Sequence, residues 1–304
     1  MKSPPDRSGV PTEGVHPRSA GLDALPTVDL LALMSEEDER AARAVRAETS
    51  RIAALVEDIV PRFGAGGRLI YVGAGTSGRL GVLAASECPP PFLVDTSRVV
   101  GIIAGGDAAL RRSSESLEDD PEGALPELER IGGGDLDTVI GLTAGGTTPY
   151  PLGALRIARS RGALTALVTC GESPDGHTPH HVIRLETGPE VLAGSTRLKA
   201  GTATKLALNM ISTALMVRMG KVHDGLMVDV SATNDKLRDR AARIVVRLVG
   251  GTREEALTLL GEAGGRVKTA VVMRSLGVSR GEAEDRLEDL GGSLRDALGR
   301  GASC

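Results

Sequence analysis

The chain has 304 residues, 41% hydrophobic and 25% charged, with a net charge of −4. That suits a globular protein with one or two cores of its own. The acidic balance and an aromatic content of 1% with no Trp argue against nucleic acid, which asks for a basic surface and for rings on which bases stack.

Residues 1–26 are rich in Pro, Gly and Ser and read as an extended arm that orders only if something holds it. They lack the apolar core of a signal peptide, and no apolar run in the chain approaches the ~18 residues of a membrane span, so no membrane partner is expected. Thr27 is placed to cap a short helix through Met34. Ser35 with Asp38 resembles a capping box opening a longer helix that ends near Pro61. From Arg68 the pattern turns to short β-rich runs, each followed by a helical stretch: 68–73, 98–106, 137–146, 163–170 and 181–187. Near-continuous apolar strands alternating with helices predict an α/β fold, a doubly wound parallel sheet. Its ligands belong outside the carboxyl ends of the strands, where the glycine-rich loops fall.

Residues 197–219 form a long helical run, apolar on most of its circumference, which reads as a central or interface helix. After about Val246 come three short helices with Thr252 and Ser279 at cap positions and glycines at the stops, then a last turn. The expected division is 1–66 for arm and first helices, 67–246 for the α/β domain and 247–304 for a small helical subdomain. The cysteines, Cys88, Cys170 and Cys304, are odd in number and far apart. They give no disulfide framework or metal knuckle and point to a reducing, cytoplasmic setting.

Three loops carry groups for an anion. GAGTSGR follows the first run, with Gly75, Thr76 and Ser77 at a helix N-terminus where backbone N–H groups and hydroxyls suit a phosphate monoester. Gly73, Gly75 and Gly78 give a GxGxxG spacing, yet a dinucleotide needs an acid about 20 positions on, at the end of the second strand. Asp95 precedes that strand and Asp107 lies past its glycines, so NAD or FAD is not expected. TAGGTTPY (143–150) ends the third run with Gly145, Gly146, Thr147 and Thr148 before Pro149; its hydroxyls either meet a phosphate or only cap the next helix. GSTRLK (194–199) opens the long helix with Ser195, Thr196, Arg197 and Lys199. His177, His180 and His181 read as a surface loop, since no further ligand cluster completes a metal site.

The stretches GAGTSGRLGVLAASECPPPF, IIAGGDAALRRSSESLEDD, GLTAGGTTPYPLGAL, AGSTRLKAGTATKLALNMISTALM and LMVDVSATNDKL resemble the N-acetylmuramic acid 6-phosphate etherases. These are a branch of the sugar isomerase (SIS) superfamily related to the glucokinase regulatory protein. The resemblance runs from TEGVHPRSAGLD near the start to the terminal helices. It implies cleavage of the D-lactyl ether at C3 of a sugar 6-phosphate, with no metal or redox cofactor. The base removes the proton at C2, acidified by the open-chain aldehyde; an acid assists lactate departure, and water adds at C3. By the same resemblance Glu87, in SECPP, is the proton donor and Glu118, in ESLEDD, handles the C2 proton or the water. On their own, Glu118 reads as part of a solvated acidic face with Glu115, Asp119, Asp120 and Glu122, and Glu87 as a structural helix end.

Ser77 and Glu87 are ten residues apart, about 15 Å along a helix, longer than the reach from a sugar 6-phosphate to its C3 oxygen. Either the helix starts late or bends, or Glu87 serves the pocket of a second copy in a homodimer. The chain also departs from the family: where the family usually has ASGRTPY, Gly145 replaces a serine and Thr147 an arginine. That leaves open a non-catalytic sugar-phosphate sensor and an SIS isomerase beside the etherase.

Overall fold

The computed structural model describes residues 7, 9–112, 117–172, 176, 178–230 and 235–299. Glu115, His177, Cys304 and part of the LMVDVSATNDKL segment lie outside these. The chain divides into two units, Met1–Ser86 with Ser97–Ser212, and Glu87–Thr96 with Thr213–Cys304.

The helices and strands run α1 (Thr27–Ala47), α2 (Thr49–Gly64), β1 (Leu69–Gly73), α3 (Gly75–Glu87), α4 (Pro89–Phe92), β2 (Val99–Ile103), α5 (Leu125–Arg130), β3 (Thr138–Thr143), α6 (Pro149–Ser160), β4 (Leu164–Thr169), β5 (His181–Arg184) and α7 (Lys199–Arg218). There follow β6 (Val222–His223), β7 (Leu226–Met227), α8 (Asp235–Val249), α9 (Arg253–Glu262), α10 (Val267–Leu276), α11 (Arg280–Asp289) and α12 (Leu294–Ala297).

In the first unit five parallel strands lie in the order β2-β1-β3-β4-β5. β1, β3 and β4 are buried along their whole length, which is why they read as unbroken apolar runs. Ile70, Val72 and Val139 pack with Leu128 of α5 and Leu152, Leu155 and Ala158 of α6 on one face. On the other, α3 presses close: a Cβ on Gly101 would stand 2.5 Å from Val82 Cα, and one on Gly78 2.6 Å from the Gly73 carbonyl oxygen. The strand order reverses between β1 and β3, and in such sheets that switch point is the ligand crevice.

One local expectation is corrected here. Ser35 does not open a second helix: α1 runs unbroken from Thr27 to Ala47, because Leu33, Glu37, Ala41, Ala44 and Val45 form one buried stripe at helical spacing through it. The break falls at Glu48, and α2 carries its own buried stripe of Ile52, Leu55, Val56, Ile59 and Phe63. The arm, in turn, is held. Thr12 and His16 are buried, and a short 3-10 turn forms over Pro11–Glu13.

The second unit has a core of Val228, Val230, Ala241, Ile244, Val245, Leu260, Val267, Ala270 and Val271 among others. Thr252 and Ser279 each form a full capping box, with Glu255 and Glu282. The compositional shift at Val246 falls inside α8. Lys268 is the buried cation here, its ammonium donating to Asp229 at 3.0 Å and to the Gly292 carbonyl at 2.6 Å.

Candidate active site

α3 starts at Gly75, where φ is +52°, and Gly75, Thr76 and Ser77 are half-buried in its first turn. Backbone N–H groups of that turn lack helical acceptors, so the turn offers donors, with two hydroxyls beside them, of the kind an anion takes. The third loop comes up against it: a Cβ on Gly201, in the first turn of α7, would stand 3.6 Å from Thr76 Cγ2.

The second loop lies on the neighbouring strand. Gly146 has φ +82°, and a Cβ there would meet the Glu172 carbonyl oxygen at 2.0 Å, so only glycine fits. Thr148 takes the N-cap position with Pro149 first in α6, as expected, but its hydroxyl makes no capping bond. It lies 2.9 Å from the Thr143 hydroxyl. The Tyr150 N–H donates instead to the carbonyl oxygen of Glu118 at 3.0 Å. The segment around Glu118 is pressed against α6, since a Cβ on Gly153 would stand 1.7 Å from the Pro121 carbonyl oxygen. The main chain of half-buried Glu118 is therefore held at the first turn of α6. Without the family resemblance its acidic neighbours had suggested a solvated helix face.

The third loop is less open to an anion than its residue types suggest. The carboxylate of Glu190 accepts from the N–H groups of Lys199 at 3.3 Å and Ala200 at 2.9 Å and so occupies the N-terminus of α7. Burial pushes the Glu190 carboxyl up, against the pull of those two N–H groups. Lys199 is 1% exposed and its ammonium lies 2.5 Å from Glu37 Oε2. Burial works to raise the Glu37 carboxyl, but the Lys199 hydrogen bond and the charges of Lys199 and Arg40 hold it below its ordinary value. Lys199 is thus a buried counter-ion in this structure, a correction to its expected place among the anion ligands. Ser195 and Thr196 remain half-buried and Arg197 exposed on the same loop.

The pair reaches the arm. His16 Nδ1 accepts the Arg18 N–H at 3.2 Å, which leaves the proton on Nε2, 3.2 Å from Glu37 Oε1. Held there, the arm lies over two of the loops. A Cβ on Gly145 would stand 3.5 Å from Val10 and 3.6 Å from Thr12 Oγ1, and one on Gly194 3.1 Å from Glu13 Oε2. Sequence reasoning did not foresee Glu37, Glu190 or the arm at this place, and no local signal announces them, since Glu37 and Lys199 are 162 residues apart.

Glu87 is the last residue of α3, exposed, and belongs to the other unit. α3 starts at Gly75 and no later, so one of the explanations for the distance from Ser77 does not hold. His180 and His181 have other partners: the Thr165 N–H donates to His180 at 3.0 Å, and His181 lies 2.8 Å from Asp58. Among the described residues no group of three or more His, Cys, Asp or Glu is arranged to hold a metal, and no helix is long and apolar enough to cross a membrane.

A parallel sheet of this order, with glycine and hydroxyl loops at its switch point and no acid at the end of β2 for a ribose, defines a sugar-phosphate-binding α/β protein of the SIS class. Residues 51–159 match the glucokinase regulatory protein N-terminal SIS domain family. Over most of its length the chain is 51% identical to an N-acetylmuramic acid 6-phosphate etherase from Synechococcus sp. (strain CC9605), covering 96% of this chain and 93% of that one. It is 52% identical to a protein of the same name from Rubrobacter xylanophilus, covering 95% and 96%. Among solved structures it is similar to a phosphoheptose isomerase from Francisella tularensis, at 16% identity and a TM-score of 0.44, covering 64% of this chain and 98% of that one. The chain belongs to the N-acetylmuramic acid 6-phosphate etherase family.

Proposed function

We propose that the chain is a carbon–oxygen lyase that cleaves the D-lactyl ether of N-acetylmuramic acid 6-phosphate, giving N-acetylglucosamine 6-phosphate and D-lactate in the cytoplasm during cell-wall sugar recycling. The half-identity to etherases over nearly the whole chain supports it, and neither the sensor nor the isomerase reading is favoured. The structural observation that supports it best is the bond from the Tyr150 N–H to the Glu118 carbonyl, which brings a carboxylate residue to a glycine and hydroxyl loop.

In this reading the phosphate sits at the first turn of α3, held by N–H groups with Thr76 and Ser77. Gly145, Gly146, Thr147, Thr148, Ser195 and Thr196 line the rest. Glu118 takes the C2 proton of the open-chain sugar, whose aldehyde stabilises the carbanion. The C3–O bond breaks with Glu87 protonating the departing lactyl oxygen, and water adds to C3 while a proton returns to C2. With ~15 Å of helix between Ser77 and Glu87, Glu87 serves the pocket of a second copy, so the active form is a homodimer with composite sites.

The test is D-lactate release from N-acetylmuramic acid 6-phosphate by the wild type beside Glu87→Gln and Glu118→Gln. Lactate from the wild type with a loss of at least about 100-fold in each variant is expected for groups that transfer protons. Sugar-phosphate binding without lactate overturns the proposal, and undiminished release by either variant removes that residue from it.

A further inference from the structure

We infer that Glu13, carried by the amino-terminal arm, is a substrate-contacting residue that sets specificity for the sugar as distinct from its phosphate. This rests on the etherase reading for the place of the pocket. It adds a third carboxylate residue, from a segment whose composition suggested no fixed structure.

Three observations place it. The arm is fixed on both sides of Glu13, by Thr12, which is fully buried, and by His16, 1% exposed and 3.2 Å from Glu37. The fixed arm meets two of the site loops, with Thr12 against Gly145 and Glu13 Oε2 3.1 Å from where a Cβ of Gly194 would stand. Between its buried neighbours Glu13 itself is exposed. A carboxylate on a pinned turn, beside a loop that presents hydroxyls, has its backbone placed before any ligand arrives. Such preorganisation favours binding.

Its charge says which part of the ligand it meets. Ionised carboxylate only accepts hydrogen bonds, and it repels a phosphate dianion while accepting from sugar hydroxyls. Glu13 therefore favours the orientation with the phosphate at the Thr76 and Ser77 turn and the hydroxyl-bearing carbons toward the arm. The same turn brings Thr12 Oγ1, which has no hydrogen-bond partner among the described residues, to the position where the family usually carries serine.

The experiment compares Glu13→Gln and Glu13→Ala with the wild type in three readouts: KM and kcat for N-acetylmuramic acid 6-phosphate, inhibition by inorganic phosphate, and melting temperature. Loss of one charge-assisted bond to a hydroxyl raises KM about ten-fold or more, with the inhibition constant of phosphate and the melting temperature unchanged. An unchanged KM overturns the inference. So does a rise in KM shared by phosphate and accompanied by a fall in melting temperature, which marks a residue that only holds the arm. Calorimetric binding of N-acetylglucosamine 6-phosphate separates the two claims. If the wild type binds it but releases no lactate from N-acetylmuramic acid 6-phosphate, the etherase reading fails, and Glu13 stands or falls on whether Glu13→Gln weakens that binding about ten-fold.

Discussion

Replacing Glu37 by Gln tests whether the buried pair with Lys199 holds the arm to the sheet. Both side chains are buried, at 3% and 1% exposed, so solvent screens neither charge. Gln keeps the shape and one acceptor but leaves the Lys199 ammonium without its counter-ion, a change that costs about 3–5 kcal/mol in buried sites. Lys199→Met is milder, at about 1–3 kcal/mol, because His16, Arg18 and Arg40 still lie within 3.3 Å of the Glu37 carboxylate. Once the cation is gone, Gln at 37 leaves no buried charge unpaired, since Arg18 and Arg40 are half exposed. The double variant therefore sits near Lys199→Met, which is a coupling as large as the Glu37→Gln cost itself, about 3–5 kcal/mol. Urea unfolding of the four proteins reads these values. The sign with pH is fixed too: Glu37 is held below its ordinary value, so the folded chain binds fewer protons than the unfolded one in that range. The stabilisation is full above the ordinary carboxylate range, falls as the pH drops through it, and is missing from Glu37→Gln. A loss below about 1 kcal/mol for Glu37→Gln, or a double variant that loses the sum of the singles, refutes the latch.

Gly145 and Gly146 are adjacent but differ in what they tolerate. Gly145→Ser meets only ordinary contacts with Val10 and Thr12 and brings a hydroxyl to the unpartnered Thr12 Oγ1, so thermal stability holds or rises. Gly146→Ala drives a methyl into the Glu172 carbonyl at a positive φ, and calorimetry should show sugar-phosphate binding lost. Asp137 accepts from Arg68 Nη2 at 2.7 Å and from the N–H groups of Arg68 and Gly134 at 2.9 Å. Asp137→Asn should cost about 2–4 kcal/mol in urea unfolding at neutral pH. Burial works to raise this carboxyl, but those bonds hold it below its ordinary value. The difference from wild type thus narrows as the pH falls through the carboxylate range.

The legible parts of the molecule are those whose cause is local. β1, β3 and β4 begin and end within a few residues of the apolar runs, because burial on both faces leaves no alternation to confuse. The boxes at Thr252 and Ser279 need only residues three apart. Ser35 shows where a local signal fails. It offers a cap, but a stripe from Leu33 to Val45 gains more by continuing the helix than by breaking it. For the arm the sequence left a condition, that something hold it, and no local signal shows what meets it: Thr12 and His16 are buried, with His16 3.2 Å from Glu37. For the same reason Lys199 looked like a phosphate ligand by residue type and emerged as the counter-ion of Glu37. The glycine and hydroxyl loops were readable as turns that open helices; the proposed carboxylates had no signal of their own and came from family resemblance.

The most direct test of the etherase account is the fate of oxygen when the protein turns over N-acetylmuramic acid 6-phosphate in ¹⁸O-labelled water. Elimination followed by hydration breaks the bond between C3 and the ether oxygen, so that oxygen leaves with lactate and solvent supplies the new hydroxyl. The account predicts unlabelled D-lactate and N-acetylglucosamine 6-phosphate carrying one ¹⁸O at C3. Label in the lactate, or no lactate at all, contradicts it.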